Sequence, residues 1–277
     1  NVYSLFEKID IFGLIESICI KMYNLDLYHC NIQKRPSAIC KTPYVADGII
    51  GKTITQIHTP ALGCCGLCDK DSNVLVTKND KPKTCSYTAQ ISYFYEPKIQ
   101  RNIYVGINPK LAETLIHSCF TKDLLPFLQN VRTFAREKHI ENTNSRFDFA
   151  GIDKDGNDFV LEVKNVPLAD YIDCTLKEKK NLGSDIFEDL PYDAKIAYFP
   201  DGYRKSTKEP ISPRALKHLH DLETLTSRGY RTIMCYVIQR DDVNHFQPSV
   251  IDPIYRAAFY RAKKNGVEMY AVKFEWN

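Results

Sequence analysis

The chain has 277 residues, 44% of them hydrophobic and 26% charged, with 37 Lys+Arg against 34 Asp+Glu and ten cysteines. That apolar content supports a sizeable core and excludes wholesale disorder, and at roughly 100–200 residues per domain the length predicts two domains. No stretch approaches the ~18 uninterrupted apolar residues of a membrane span, so no membrane partner is expected.

The charge is unevenly spread: residues 137–193 hold 14 acidic and 7 basic side chains, and residues 203–264 hold 6 acidic and 12 basic ones. An acid-rich block beside a basic one suits a site that holds a cation with carboxylates and a polyanion with Lys and Arg, although two solvated faces of opposite sign give the same counts. The start, Asn1-Val-Tyr-Ser-Leu-Phe-Glu-Lys-Ile-Asp10, shows no basic segment followed by an apolar run, so no signal peptide is read there. The expected location is intracellular: cytoplasm, nucleus, or an organelle if a targeting segment was removed.

In chain order, Leu5, Ile9, Phe12, Ile15 and Ile18–Cys19 fall near helical spacing, which predicts a helical extension over residues 1–37. Residues 38–108 read as all-β, with runs at Ile49–Ile57, Val74–Thr77, Thr88–Tyr95 and Asn102–Ile107 separated by Gly, Pro, Asp and Asn. A small barrel of the five-stranded oligonucleotide-binding (OB) type fits that pattern. Cys65-x2-Cys68 has zinc-knuckle spacing, with His58 and Cys85 as further ligands, but the second Cys-x2-Cys of a four-ligand pattern is missing. Buried free thiols are the better reading, and zinc at Cys65/Cys68 is not expected.

From residue 109 to 277 the pattern becomes mixed α and β. Leu111, Leu115 and Cys119 predict a helix, Leu124–Ala135 a second, and Arg146–Ile152 with Asp158–Val166 a β-hairpin across Asp153-Lys154-Asp155-Gly156-Asn157. A surface insertion is expected over about 171–195. Ser212-Pro213 and Asp252-Pro253 start helices, Thr232–Ile238 reads as a central strand, and Val267–Trp276 closes the chain as a strand.

The hairpin carries the chemistry. Side chains alternate along a strand, so Glu162 and Lys164 project to one face and Val163 to the other, and pairing brings Asp148 beside Glu162. Hydrolysis of a phosphodiester wants a cation to polarise the phosphoryl oxygen and to acidify the attacking water. Mg2+ (or Mn2+) takes hard oxygen ligands, here Asp148, Glu162 and the Val163 carbonyl, while Lys164 neutralises charge on the phosphate. Glu137, read as part of the preceding helix, is expected to reach the same site as an outer ligand or to hold a second cation. The competing reading is a solvent-facing ion-paired row, worth little.

The segments Ser145-Arg146-Phe147-Asp148-Phe149 and Leu161-Glu162-Val163-Lys164-Asn165-Val166-Pro167-Leu168-Ala169 resemble the bacterial sugar fermentation stimulation (SfsA) family. So do Tyr198-Phe199-Pro200-Asp201, the run Arg214–Leu222, Val237-Ile238-Gln239-Arg240 and, upstream, Ile57-His58-Thr59-Pro60 and Val105-Gly106-Ile107-Asn108. The likeness covers about residues 40–277. It implies a two-domain α/β (α+β) chain: an N-terminal OB-like β-barrel followed by a PD-(D/E)xK restriction-endonuclease-like mixed-sheet domain. It further implies nucleic-acid (DNA or RNA) binding, with Glu137, Asp148, Glu162 and Lys164 as the catalytic set and Arg146, Arg214, Lys217, His218 and Arg240 as polar residues toward nucleic acid. The chain departs from the family pattern at Ala61, where Asn is usual, and in insertions before Phe199 and at Gly202–Ile211. Residues 1–37 have no family counterpart and read as a protein-partner element. The leading expectation is a Mg-dependent nuclease; the alternative is a catalytically inactive nucleic-acid-binding or scaffold subunit that keeps the fold.

Overall fold

The computed structural model describes residues 12–14, 16–17, 25–61, 66–143, 145–182, 185–200 and 208–276. Two short strands come first, β1 (Phe12–Leu14) and β2 (Glu16–Ser17), where helical spacing predicted a helix. Each adds to a sheet of the second domain, β1 onto Phe246 and His245, β2 onto Val272 and Lys273. Unpaired N–H and C=O groups at those sheet edges explain the extended form. The rest of the expected extension helix lies outside the described residues.

Six strands follow: β3 (Leu27–Lys34), β4 (Val45–Ile50), β5 (Thr53–His58), β6 (Asn73–Lys78), β7 (Tyr87–Glu96) and β8 (Arg101–Gly106). Their order is β5-β4-β3-β6-β7-β8, and a parallel pairing of Ile57–His58 with Tyr87–Thr88 closes the first five into a barrel. The barrel therefore begins at Leu27, inside the stretch given to the extension, because Cys30 and Ile32 point inward among Val74, Val76 and Ala89. The run read as one strand from Ile49 to Ile57 is two, turned at Gly51 with φ +61°.

The second domain opens with α1 (Pro109–Thr121), whose first turn is closed by the Asn108 side chain accepting from the Lys110 amide. Then come β9 (Thr133–His139), β10 (Arg146–Ile152), β11 (Asp158–Asn165), β12 (Ala169–Asp170) and α2 (Leu176–Leu182). β13 (Lys195–Phe199), α3 (Pro213–Thr226), β14 (Arg231–Ile238), β15 (Val243–Pro248), α4 (Pro253–Lys264) and β16 (Glu268–Lys273) complete it. One sheet runs β2-β16-β14-β11-β10-β9 and a smaller one β1-β15-β13-β12. β14 is central as expected, parallel to both β11 and β16. No helix among the described residues is long and apolar enough to cross a membrane.

The helix expected over Leu124–Ala135 does not form. Positive φ at Asp123 (54°) and Asn130 (53°) turns the chain, and β9 starts at Thr133. The helical spacing was real but served a loop: Leu125 and Leu128 are buried there against α1. Glu137 consequently sits on a strand.

The large sheet is covered on both faces. α3 and α4 pack one face through Leu219, Leu222, Tyr255 and Phe259. The other meets α1 through Leu115, Ile116 and Phe120, and the barrel through Leu75 and Ile91. The barrel is also bolted to the site-bearing strand. The Gly106 amide donates to the Gln239 carbonyl (2.9 Å), Asn165 Nδ2 to the Gly106 carbonyl (3.0 Å), and Gln239 Nε2 to Asn165 Oδ1 (2.8 Å). A Cβ on Gly106 would stand 2.3 Å from Gln239 Cδ and 2.6 Å from its Cβ. Gly106→Ala is expected to cost about 1–3 kcal/mol by overpacking, read as a lower urea midpoint at an unchanged m-value.

Candidate active site

The β10–β11 hairpin forms because Asp153 organises its turn: its Oδ1 accepts from the Asp155 (3.0 Å) and Asn157 (2.9 Å) amides, and Gly156 takes φ +92°. Antiparallel pairing from Ile152↔Asp158 to Phe149↔Leu161 then carries Asp148 to the level of Glu162. There the backbone ladder gives way to a side chain, and the Val163 amide donates to Asp148 Oδ2 at 2.8 Å. Val163 itself packs into the α1 side of the core, while Glu162 and Lys164 both reach His218 of α3 on the other side.

Glu162 is 2% exposed. Its Oε1 takes both Lys164 Nζ and the His218 ring, whose Nδ1 also lies 3.2 Å from Lys164 Nζ. A carboxylate accepts only from a protonated nitrogen, so Nδ1 carries the imidazole proton, and its approach to Lys164 is a contact and not a second bond. Burial alone would raise the Glu162 pKa, but Lys164 and His218 outweigh it and hold the carboxyl below its ordinary value. Glu162 Oε2, also buried, has no hydrogen-bond partner among the described residues.

Asp148 goes the other way. Burial first, then the charge of Glu162, push its pKa up to about 7; Lys164 and the Val163 amide oppose this only in part. Glu113 of α1 adds to the rise. That residue was missed in the sequence reading: it is a buried carboxylate, tied to Lys110 (2.8 Å) and approached by Arg136 (3.6 Å). Its sequence signal was weak, one acidic position among the apolar residues Leu111, Ala112, Leu115 and Ile116 of a mixed helix.

The remaining expected residues divide. Glu137, φ +53°, lies between the paired residues Arg136 and Lys138, level with Asp148. Its carboxylate is ion-paired with Lys110 (2.8 Å) and Arg146 (3.1 Å), and the Lys110 bond leads the causes that lower its pKa. Arg146, Arg214 and Lys217 lie on β10 and α3, around the cluster, all three exposed. His218 is buried behind Glu162 and does not meet solvent. Arg240 is no nucleic-acid contact: it is 4% exposed, clamps Asp242 with two bonds (2.6 and 2.7 Å), and donates to the Pro167 carbonyl (2.6 Å). A buried guanidinium held by these three bonds braces the loops after β11 and β14. Cys65 lies outside the described residues, and Cys68 is buried in the barrel core.

No group of three or more His, Cys, Asp or Glu side chains among the described residues is arranged to hold a metal. Two convergent carboxylates nonetheless suit a hard cation that keeps most of its water, as Mg2+ does. An orphaned buried oxygen on Glu162 and a like-charge penalty on Asp148 are what such a site shows without its ion.

Two blocks of the chain, residues 110–176 and 189–277, match the family model of the Sugar fermentation stimulation protein RE domain. The chain belongs to the sugar fermentation stimulation protein family. The gap between the blocks falls within the expected insertion and holds most of α2. A Sugar fermentation stimulation protein homolog from Agrobacterium fabrum is 31% identical over 209 residues, covering 75% of this chain and 72% of that one. The homolog from Pelagibacter ubique is 29% identical over 237 residues, covering 84% and 86%. The solved structure of Pyrococcus furiosus SfsA in complex with Ca2+ superposes with a TM-score of 0.70 at 19% identity, covering 92% of both chains. The family fold, an OB-like barrel followed by a restriction-endonuclease-like mixed sheet, is therefore the fold of this chain.

Proposed function

We propose that this SfsA-family chain is a divalent-cation-dependent nuclease that hydrolyses phosphodiester bonds in DNA or RNA. The observation that carries the reading is the Asp148–Glu162–Lys164 cluster: two carboxylates brought level on paired strands, one with a buried oxygen unpartnered, beside a lysine on the same face. Ca2+ in the solved Pyrococcus furiosus relative supports divalent binding in this family.

Asp148 and Glu162 would hold Mg2+ or Mn2+, with the Val163 carbonyl as a third oxygen. When bound, the cation would polarise a phosphoryl oxygen and lower the pKa of the attacking water. Lys164 is the group of the cluster that meets the phosphate: its side chain is 13% exposed, against 3% for Glu162. His218 fixes the Glu162 rotamer from behind, a positioning role. Arg146, Arg214 and Lys217 hold flanking phosphates, and Glu137 sets the pose of Arg146.

A second reading has one observation in its favour. Lys164 and His218 already satisfy Glu162 Oε1, as in a structural ion pair, which suits a nucleic-acid-binding subunit without catalysis. Purified protein incubated with Mn2+ or Mg2+ and labelled single- and double-stranded DNA and RNA separates the two. Cleavage by the parent that is lost in Lys164→Ala is the expected result. Equal cleavage by both proteins sinks the nuclease assignment, and salt-dependent binding without cleavage under any divalent cation establishes the second reading.

A further inference from the structure

Lys195 is a nearly buried cation outside the carboxylate cluster, and it takes no part in the proposed cation chemistry. It opens β13, pairing with Val243, and its side chain is 12% exposed. Its Nζ lies 2.7 Å from Asp242 Oδ2 and 3.6 Å from Glu96 Oε2, and 5.5 Å from the ring centres of both Phe94 and Tyr171. Phe94 and Glu96 belong to β7 of the barrel, Tyr171 and Asp242 to the second domain. We propose that Lys195 is a positioning residue of the nuclease site: it locks the barrel to the second domain and, through Asp242 and Arg240, steadies the segment that follows Lys164.

Two observations carry it. The contacts form an unbroken chain. Asp242 Oδ2 takes Lys195 Nζ and Arg240 Nη2 (2.7 Å each), its Oδ1 takes Arg240 Nε (2.6 Å), and Arg240 Nη1 donates to the Pro167 carbonyl (2.6 Å). Pro167 directly follows Val166, whose amide ends the pairing of β11 by donating to the Val237 carbonyl at 2.8 Å. Three side chains thus join the barrel hairpin to the end of the strand that bears Lys164.

The second observation is where the anchors lie. The Gly106–Gln239–Asn165 bonds hold one end of β8 and leave packing alone to resist rotation about them. The other end of β8, about 17 Å away at the rise of a strand, is held by Arg101 on Asp241 and, beside it in the hairpin, by Glu96 on Lys195. Arg101 is 46% exposed, so its pair is screened by water and worth little. The Lys195 pairs are closed to water, with Asp242 fully buried, and charges there act at full strength. Lys98 ties the insertion to the same hairpin, donating to the Phe187 (3.3 Å) and Leu190 carbonyls and standing 5.4 Å from the Tyr171 ring centre. Held at two separated points, the barrel cannot swing, and the Lys164 strand keeps one pose.

Lys195→Met keeps an unbranched chain between the Phe94 and Tyr171 rings, and Asp242 keeps its Arg240 bonds, so the variant retains the fold. Hydrogen–deuterium exchange of the ion-free protein reads the lock. In Lys195→Met the peptides holding the Gly106 and Val166 amides are expected to exchange at least about tenfold faster than in the parent, while β6 and β10 keep parental rates. Glu96→Gln, which removes the barrel's charge and leaves the second domain untouched, is expected to speed the Gly106 peptide as well, and Lys195→Arg stays near the parent. The positioning role rests on the nuclease reading above: with Mn2+ and a labelled oligonucleotide, kcat is expected to fall about tenfold in Lys195→Met at a KM within about twofold of the parent's, and Lys195→Arg recovers it. Parental exchange at both peptides overturns the proposal. Faster exchange in every peptide also overturns it, since that marks a residue that merely supports the fold, and so does an unchanged kcat. A parent that cleaves nothing under any divalent cation removes the nuclease reading, and the exchange result still decides the lock.

Discussion

Asp148→Asn is expected to make the ion-free protein more stable at pH 8 while abolishing its stabilisation by divalent cations and its cleavage activity. The Asp148 carboxyl has a folded pKa of about 7 against an ordinary value of 3.8, with burial and then Glu162 as the causes. The folded state thus binds this proton more tightly than the unfolded chain does. Between those two values the unfolded state has given up the proton and the folded state has not, so stability falls as pH rises. The loss is complete above the folded pKa. At 1.36 kcal/mol per unit it amounts to on the order of 4 kcal/mol at pH 8. Asn carries no charge at any pH, and its Oδ1 can still accept the Val163 amide, so the variant recovers most of that loss. Urea unfolding in EDTA at pH 5 and pH 8 checks the sign: the parent weakens between the two and the variant does not. Mn2+ is then expected to raise the parent's midpoint at pH 8 by mass action and to leave the variant unmoved. A variant that is less stable than the parent at pH 8, or that keeps the Mn2+ response, is incompatible with a cation site at Asp148.

The hairpin that builds this site was legible because its signals are local. Alternation over Asp158–Val166 and an Asp-Gly turn need only neighbouring residues to act, and the observed register follows from them. Glu137 was misplaced for the opposite reason. Leu125 and Leu128 are spaced as in a helix because both must reach the core beneath α1, and the turns at Asp123 and Asn130 that bring them there leave little mark on hydrophobic periodicity. The barrel start was missed because β3 alternates weakly, with His29 and Gln33 beside the inward Cys30 and Ile32. Long-range charge was the least readable part. Nothing local distinguishes Arg240, sealed on Asp242, from an arginine aimed at phosphate, and nothing on α1 says that Glu113 lies within the field of Asp148. Such pairings depend on which elements stack, which the tertiary fold decides.

The same stacking makes Glu162 the most demanding position in the molecule, and Glu162→Gln the second large effect. In the parent, Lys164 and His218 converge on one carboxylate oxygen in a setting almost closed to water, their side chains 13% and 4% exposed. Gln keeps the shape and accepts one hydrogen bond, but it leaves Lys164 without its counter-charge. Breaking a buried pair from one side costs about 3–5 kcal/mol. Part of this is offset, because loss of the Glu162 charge removes the second largest cause of the raised Asp148 pKa and lets Asp148 ionise as a new counter-ion for Lys164. The net loss is expected near 2–3 kcal/mol. Adding Lys164→Met to the Glu162→Gln variant restores stability, so a double-mutant cycle returns a coupling of about 1–3 kcal/mol. Activity behaves differently. Cleavage is expected to fall by about 10^3-fold or more in Glu162→Gln, the several kcal/mol that a bound cation supplies, and the added Lys164→Met change does not bring it back. Stability recovered without activity marks Glu162 as a residue whose charge is kept for a ligand and not for the fold; a double variant that regains both makes the cluster a structural ion pair, and a single variant that loses neither leaves Glu162 no role in fold or cleavage.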